Sequence, residues 1–312
     1  VAGSGLRRLA WSVLGWNVAV VVWGAYVRAS GSGAGCGSHW PLCDGQVIPR
    51  APSVAQAIEY THRVTSGLAL VAVLALVVAA FRARPKGHPV RRAAIWSLVF
   101  ILLEAALGAG LVLFELVADN ASRARALGMA AHLVNTFFLL AALALTARAA
   151  ADRPWPVLRR KPLAAAAWLG LLGLIALAGS SGAVAALGDT LFPSRTLAEA
   201  LAQDLSPTTH LLLRLRIAHP AVAGVAAAAA LLLGARWSMS EHDEPRRWGR
   251  AVVVLALLQV GAGIANVVLL APIPLQLVHL AVADLLWISS VLAGAADLAG
   301  APGPSTASGA AA

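Results

Sequence analysis

Four of the eight histidines in this 312-residue chain, His62, His132, His219 and His279, fall inside long apolar stretches, where an imidazole is costly to bury. Each precedes the charged residue that closes its stretch (Arg82, Arg148, Arg236 and Asp297) by a similar distance. At 1.5 Å per residue the four rings lie at one level, ~24–30 Å from one membrane surface. One histidine in a membrane helix can be a polar residue bonded to a neighbour, but four at one depth point to ligation. Bis-histidine binding of haem iron needs two imidazoles facing each other across a helical bundle, with the porphyrin filling the apolar space between. The natural pairs are His62 with His132 and His219 with His279. His210 lies higher, ~39 Å up and outside the hydrocarbon core, while His39, His88 and His242 fall in loops. Zinc fits less well, because there is no H-E-x-x-H and there are only two cysteines. A di-iron carboxylate centre would need Glu-x-x-His twice, and only Glu59-x-x-His62 is present.

Other reactive side chains gather in the first half. Glu59 stands one helical turn before His62, on the same face, where a carboxylate can relay protons or position water at an oxidised carbon. The alternative is a glutamate hydrated at the membrane edge. At the matching place in the second half stands Arg216, three residues before His219. Glu104, with Gln259 as its counterpart, is a second candidate or a bridge between helices. Arg63, Arg214 and Arg216, at the outer ends of histidine-bearing helices, can pair with haem propionates or snorkel to the interface. Cys36 and Cys43 share one loop, expected outside the membrane and therefore oxidised. Their disulfide would be structural, worth about 2–3 kcal/mol, or open to exchange with a partner thiol, with the structural role slightly ahead.

The elements that must hold these groups are membrane helices. Hydrophobic residues make up 59% of the chain and charged residues 12%, against about 25% charged in soluble domains. Eight apolar blocks long enough to cross a core of about 30 Å lie at 9–28, 57–81, 93–116, 126–147, 163–187, 210–235, 250–271 and 275–297. Leu9 to Tyr26 reads as the first span and not as a signal-peptide core. In a soluble protein a net charge of +10 would suggest a nucleic acid partner. Here the stretches 7–8, 82–92, 148–161 and 236–250 hold most of the 24 basic residues, all on one side of the membrane. The positive-inside rule then puts both termini in the cytoplasm, the Cys36–Cys43 loop outside and the chain in the cytoplasmic membrane, with the lipid bilayer, not nucleic acid, as its surroundings.

A repeat runs through the blocks. His62 and His219 are each followed five residues on by glycine, Gly67 and Gly224. Glu104-x-x-x-Gly108 matches Gln259-x-x-x-Gly263, His132 matches His279, and Ala29–Gly33 has a weaker echo in Ala178–Gly182. The expected fold is all-α, two tandem four-helix bundles at 1–150 and 151–299, followed by a disordered tail at 300–312.

The run from Gly24-Ala25-Tyr26-Val27-Arg28 to Cys36-Gly37-Ser38-His39-Trp40-Pro41-Leu42-Cys43 resembles the first outer loop of the haem A synthase family, in its form with a cysteine pair. Ile58-Glu59-Tyr60-Thr61-His62-Arg63 resembles that family's helix-two motif. The resemblance implies oxidation of the C8 methyl of haem o to the formyl group of haem a, for terminal oxidases. His62 and His132 would hold the substrate haem with Glu59 essential beside it, and His219 and His279 a permanent haem b. Haem o would come from a haem o synthase, with electrons exchanged with the quinol pool or a thiol–disulfide partner. His219-Pro220 departs from His62-Arg63, which keeps His210 as a reserve ligand. The competing class is a di-haem b cytochrome passing electrons between quinol and an outer partner, which explains the histidines but not Glu59 or the cysteine loop. A prenyltransferase would need paired aspartate motifs, and the aspartates here are scattered.

Overall fold

Helix ends in the computed structural model, which describes residues 2–206 and 208–299, follow signals in the sequence. The helices are α1 (Ala2–Ala29), α2 (Val54–Ala83), α3 (Pro89–Leu113), α4 (Arg123–Ala150), α5 (Pro162–Leu191), α6 (Leu197–Leu205), α7 (Leu211–Ser238), α8 (Asp243–Val268) and α9 (Ile273–Ala299). Ser53 and Ser122 cap α2 and α4 by accepting the Gln56 and Arg125 N–H groups, and Pro89 and Pro162 occupy first turns, where a missing N–H costs nothing. All except α6 are long and apolar enough to span a membrane.

Helix α1 starts at Ala2, seven residues ahead of the apolar block expected at 9–28, and two further features differ from the sequence reading. Helix α8 starts at Asp243, ahead of its apolar block, because Asp243, Glu244 and Pro245 form a favourable first turn. Helix α6 falls between the apolar blocks at 163–187 and 210–235. It is nine residues long and capped by Thr196, with Leu197, Leu201 and Leu205 along one exposed side. The tail at 300–312 lies outside the described residues.

Helices α1 to α4 pack as one bundle and α5, α7, α8 and α9 as a second, joined through α4 with α5 and α9, and through α1 with α9. The last helix of each bundle, α4 or α9, is the most enclosed. Phe137 and Trp287 stack across this seam at 4.7 Å, and the Trp287 indole N–H donates to the Phe137 carbonyl. The Trp168 indole reaches the Ser290 carbonyl at 3.0 Å by lying over Gly294, where a Cβ would fall 2.1 Å from the ring. At the end that carries the Cys36–Cys43 loop, Arg28 donates to the Ala186 carbonyl, Thr190 and Gln276, fastening α1 to the second bundle. At the other end Arg148 grips both Glu244 oxygens, at 2.9 and 3.0 Å. Leucines and valines such as Leu68, Val71, Leu232 and Leu257 point outward, as lipid-facing helices require.

Candidate functional site

Each of the four histidines lies within the first three turns of its helix, and each ring faces a glycine on the preceding span. A Cβ on Gly24 would sit 2.9 Å from His62 Cε1, one on Gly182 3.0 Å from His219 Cε1, and one on Gly263 3.3 Å from His279 Cε1. Gly108 is looser, 3.9 Å from His132. Glycine lets an imidazole lie against the neighbouring backbone, where any side chain would push it aside. The structure therefore corrects one part of the repeat: Gly182 plays the part of Gly24, whereas Ala29–Gly33 ends α1 and enters a short 3-10 turn.

His62 lies within electrostatic range of His132, and His279 within range of His219. Among the described residues the Nδ1 atoms of His62, His132 and His279 are buried without a hydrogen-bond partner, while Ser181 Oγ lies 3.1 Å from His219 Nδ1. Glu104 Oε1 approaches His132 Nδ1 to 3.3 Å without hydrogen-bond alignment, and Gln259 Nε2 stands 3.2 Å from His279 Nε2. Paired imidazoles with unused ring nitrogens, each cradled by a glycine, fit axial ligation of a haem. Among the described residues no three His, Cys, Asp or Glu side chains converge as a protein-only metal cage. Haem asks for only two, since its porphyrin supplies the others.

His210 is not in this layer. It precedes α7, where its Nδ1 accepts the Leu212 N–H and its ring packs on Phe192 at 5.1 Å. The geometry favours His219 as the α7 ligand.

Above the first pair, Cys36 and Cys43 form a disulfide whose residues are 0% and 1% exposed, which suits a structural bond better than exchange with a partner. Glu59 holds this loop. Its Oε2 accepts the Cys36 N–H at 2.8 Å, and its Oε1 accepts Arg63 Nη2 at 2.5 Å. Arg63 then donates to the His39 and Leu42 carbonyls. A Cβ on Gly35 would fall 2.6 Å from the Ala55 backbone, so the loop lies directly on α2.

Arg63 and Arg216 both have protein partners. Arg216 bonds Asp189 at 2.7 Å and also Asp204, an acid contributed by the unforeseen α6. Sequence reasoning also missed Asp284, which is fully buried in α9 with neither carboxylate oxygen partnered among the described residues, and within electrostatic range of Glu104. Its signal was present, an aspartate inside the eighth apolar block.

Residues 7–291 match the COX15-CtaA family model, described as cytochrome oxidase assembly protein. The chain belongs to this family, that of the haem A synthases. Among similar proteins, a Thermus thermophilus "protoheme IX farnesyltransferase" is 49% identical over 292 residues, covering 92% of this chain and 47% of the relative. "Heme A synthase" of Halalkalibacterium halodurans is 39% identical over 127 residues, 41% of this chain and 42% of the relative. That of Staphylococcus carnosus is 39% identical over 110 residues, 35% of each. The chain spans about half the length, or less, of these curated relatives. Family membership agrees with the multi-pass helical fold, the cysteine-pair loop and the helix-two motif.

Proposed function

We propose that the protein is a haem A synthase, an oxidoreductase that converts the C8 methyl of haem o to the formyl group of haem a. The observation that supports this best is the layer of four histidines, two in each bundle, each seated against a glycine of the preceding span. His62 and His132 hold the substrate haem o in the first half. His219 and His279 hold haem b in the second, where it supplies one-electron transfer. The assignment of halves follows chemistry: Glu59, Glu104 and the disulfide all belong to the first. Glu59 holds the outer loop onto the start of helix two through Cys36 and Arg63, one turn from His62, so a haem held at His62 would be shielded from bulk water on that side with a carboxylate nearby. The basic clusters face the cytoplasm and the disulfide loop faces outward, in the cytoplasmic membrane.

The name of the Thermus relative describes attaching a farnesyl group to protohaem, the chemistry that supplies haem o. This chain's aspartates are scattered, not paired to hold magnesium and diphosphate, so we assign that activity to the part of the relative this chain does not match. A farnesyl-transferring partner is then the direct source of substrate.

Chromatography and mass spectrometry of haems extracted from the protein, purified from cells that make haem o, test this reading. Haem o or haem a beside haem b is expected. Haem b alone would leave an electron-transferring cytochrome.

A further inference from the structure

The two histidines that close the haem pairs, His132 and His279, have different neighbours at one equivalent position. Glu104 and Gln259 each stand four residues before the glycine that faces the histidine, and each side chain reaches one ring nitrogen of that imidazole, Glu104 Oε1 at 3.3 Å from His132 Nδ1 and Gln259 Nε2 at 3.2 Å from His279 Nε2, which leaves the opposite nitrogen of each ring for iron. The shapes are nearly the same and the charge is not. Glu104 is also fixed in place. Its Oε2 accepts Asn135 Nδ2 at 2.5 Å, its Oε1 accepts the Thr136 hydroxyl, and Asn135 further donates to the Phe100 carbonyl at 2.9 Å. Asn135 and Thr136 lie one turn beyond His132 on the same helix, so ligand and carboxylate are held as a unit. Among the described residues nothing comparable braces Gln259, whose Oε1 is buried without a partner there.

We infer that Glu104 is a positioning residue that lowers the reduction potential of the first-half haem relative to the second. This rests on the haem reading above. A carboxylate at the non-ligating nitrogen of an axial histidine makes the imidazole more basic and favours ferric over ferrous iron; a neutral amide does so far less. The order suits a dehydrogenative route, in which the methyl group and one water become the formyl group with release of four electrons and four protons in the first half. A lower potential there makes the electrons' passage to the second-half haem downhill. A helix bridge alone would need no charge, and Gln259 fills that need in the second bundle without one.

The test uses the full-length protein in detergent, loaded with protohaem, which suits either site. His219→Ala isolates the first site and His132→Ala the second, and optical redox titration gives each midpoint. Glu104→Gln in the first background should shift the midpoint to more positive potential. Gln259→Glu in the second should shift it to more negative potential, with the low-spin spectrum kept in both. The two substitutions are independent, so if one abolishes haem binding the other still decides. Unchanged midpoints with intact low-spin spectra would overturn the inference while leaving the haem sites standing. Failure of protohaem to bind the parent protein would instead sink the haem reading itself.

Discussion

Glu59 Oε2 accepts the backbone N–H of Cys36 at 2.8 Å, so the carboxylate one turn before His62 is also the clasp of the disulfide loop. Glutamine at position 59 keeps an acceptor for that N–H but gives up the ion pair with Arg63, and alanine loses both. Haem a formation in cells supplied with haem o should fall in the order wild type, Glu59→Gln, Glu59→Ala, with the last inactive. Second-half haem b should stay at wild-type level, and haem o or its hydroxymethyl form should accumulate. Extracted haems measure all three. Wild-type output from Glu59→Ala would remove Glu59 from the reaction.

The glycine cradles make a graded prediction. Gly24→Ala and Gly182→Ala place a methyl about 3 Å from the His62 and His219 rings, whereas Gly108→Ala meets His132 only at 3.9 Å. The first two should each weaken haem retention in their own half and disturb the low-spin bands, and Gly108→Ala should be nearly silent. Equal effects at the three positions, read by absorbance after titration with protohaem, would mean that the rings are not seated as described.

Much of this was legible in the sequence because the strongest signals are local. Apolar block length gave the eight spans, and His62, His132, His219 and His279 declared themselves by depth. What was hidden depends on contacts between distant segments. Gly24 and Gly182 look like ordinary small residues until α2 and α7 lay an imidazole on each. Arg216 looked available for a propionate because Asp189 and Asp204 come to it from α5 and α6, and the nine residues of α6 sit among Pro, Ser and Thr that read as loop. Glu59 was visible as a carboxylate beside His62, but its hold on Cys36 spans 23 residues and needed the fold.

The disulfide should resist mild reductant in the folded protein, because both cysteines are buried. Alkylation followed by mass measurement should show no modified thiol before unfolding and two after unfolding with reductant. Cys36→Ser with Cys43→Ser should lower stability by about 2–3 kcal/mol. Two free thiols in native, air-oxidised protein would contradict the bond.

Asp284 has no hydrogen-bond partner among the described residues and no exposed surface, so its carboxylate adds nothing to stability. Asp284→Asn should keep its haem and melt no lower than wild type in detergent. A drop of many degrees would reveal a partner in the native membrane state.

The absorption spectrum of the purified protein bears most directly on the central claim that paired histidines hold haem. Reduced-minus-oxidised spectra should show low-spin, bis-histidine haem, and the double variant His219→Ala, His279→Ala should lose the haem b bands while still inserting into the membrane. A full b-type spectrum in that double variant would contradict the account.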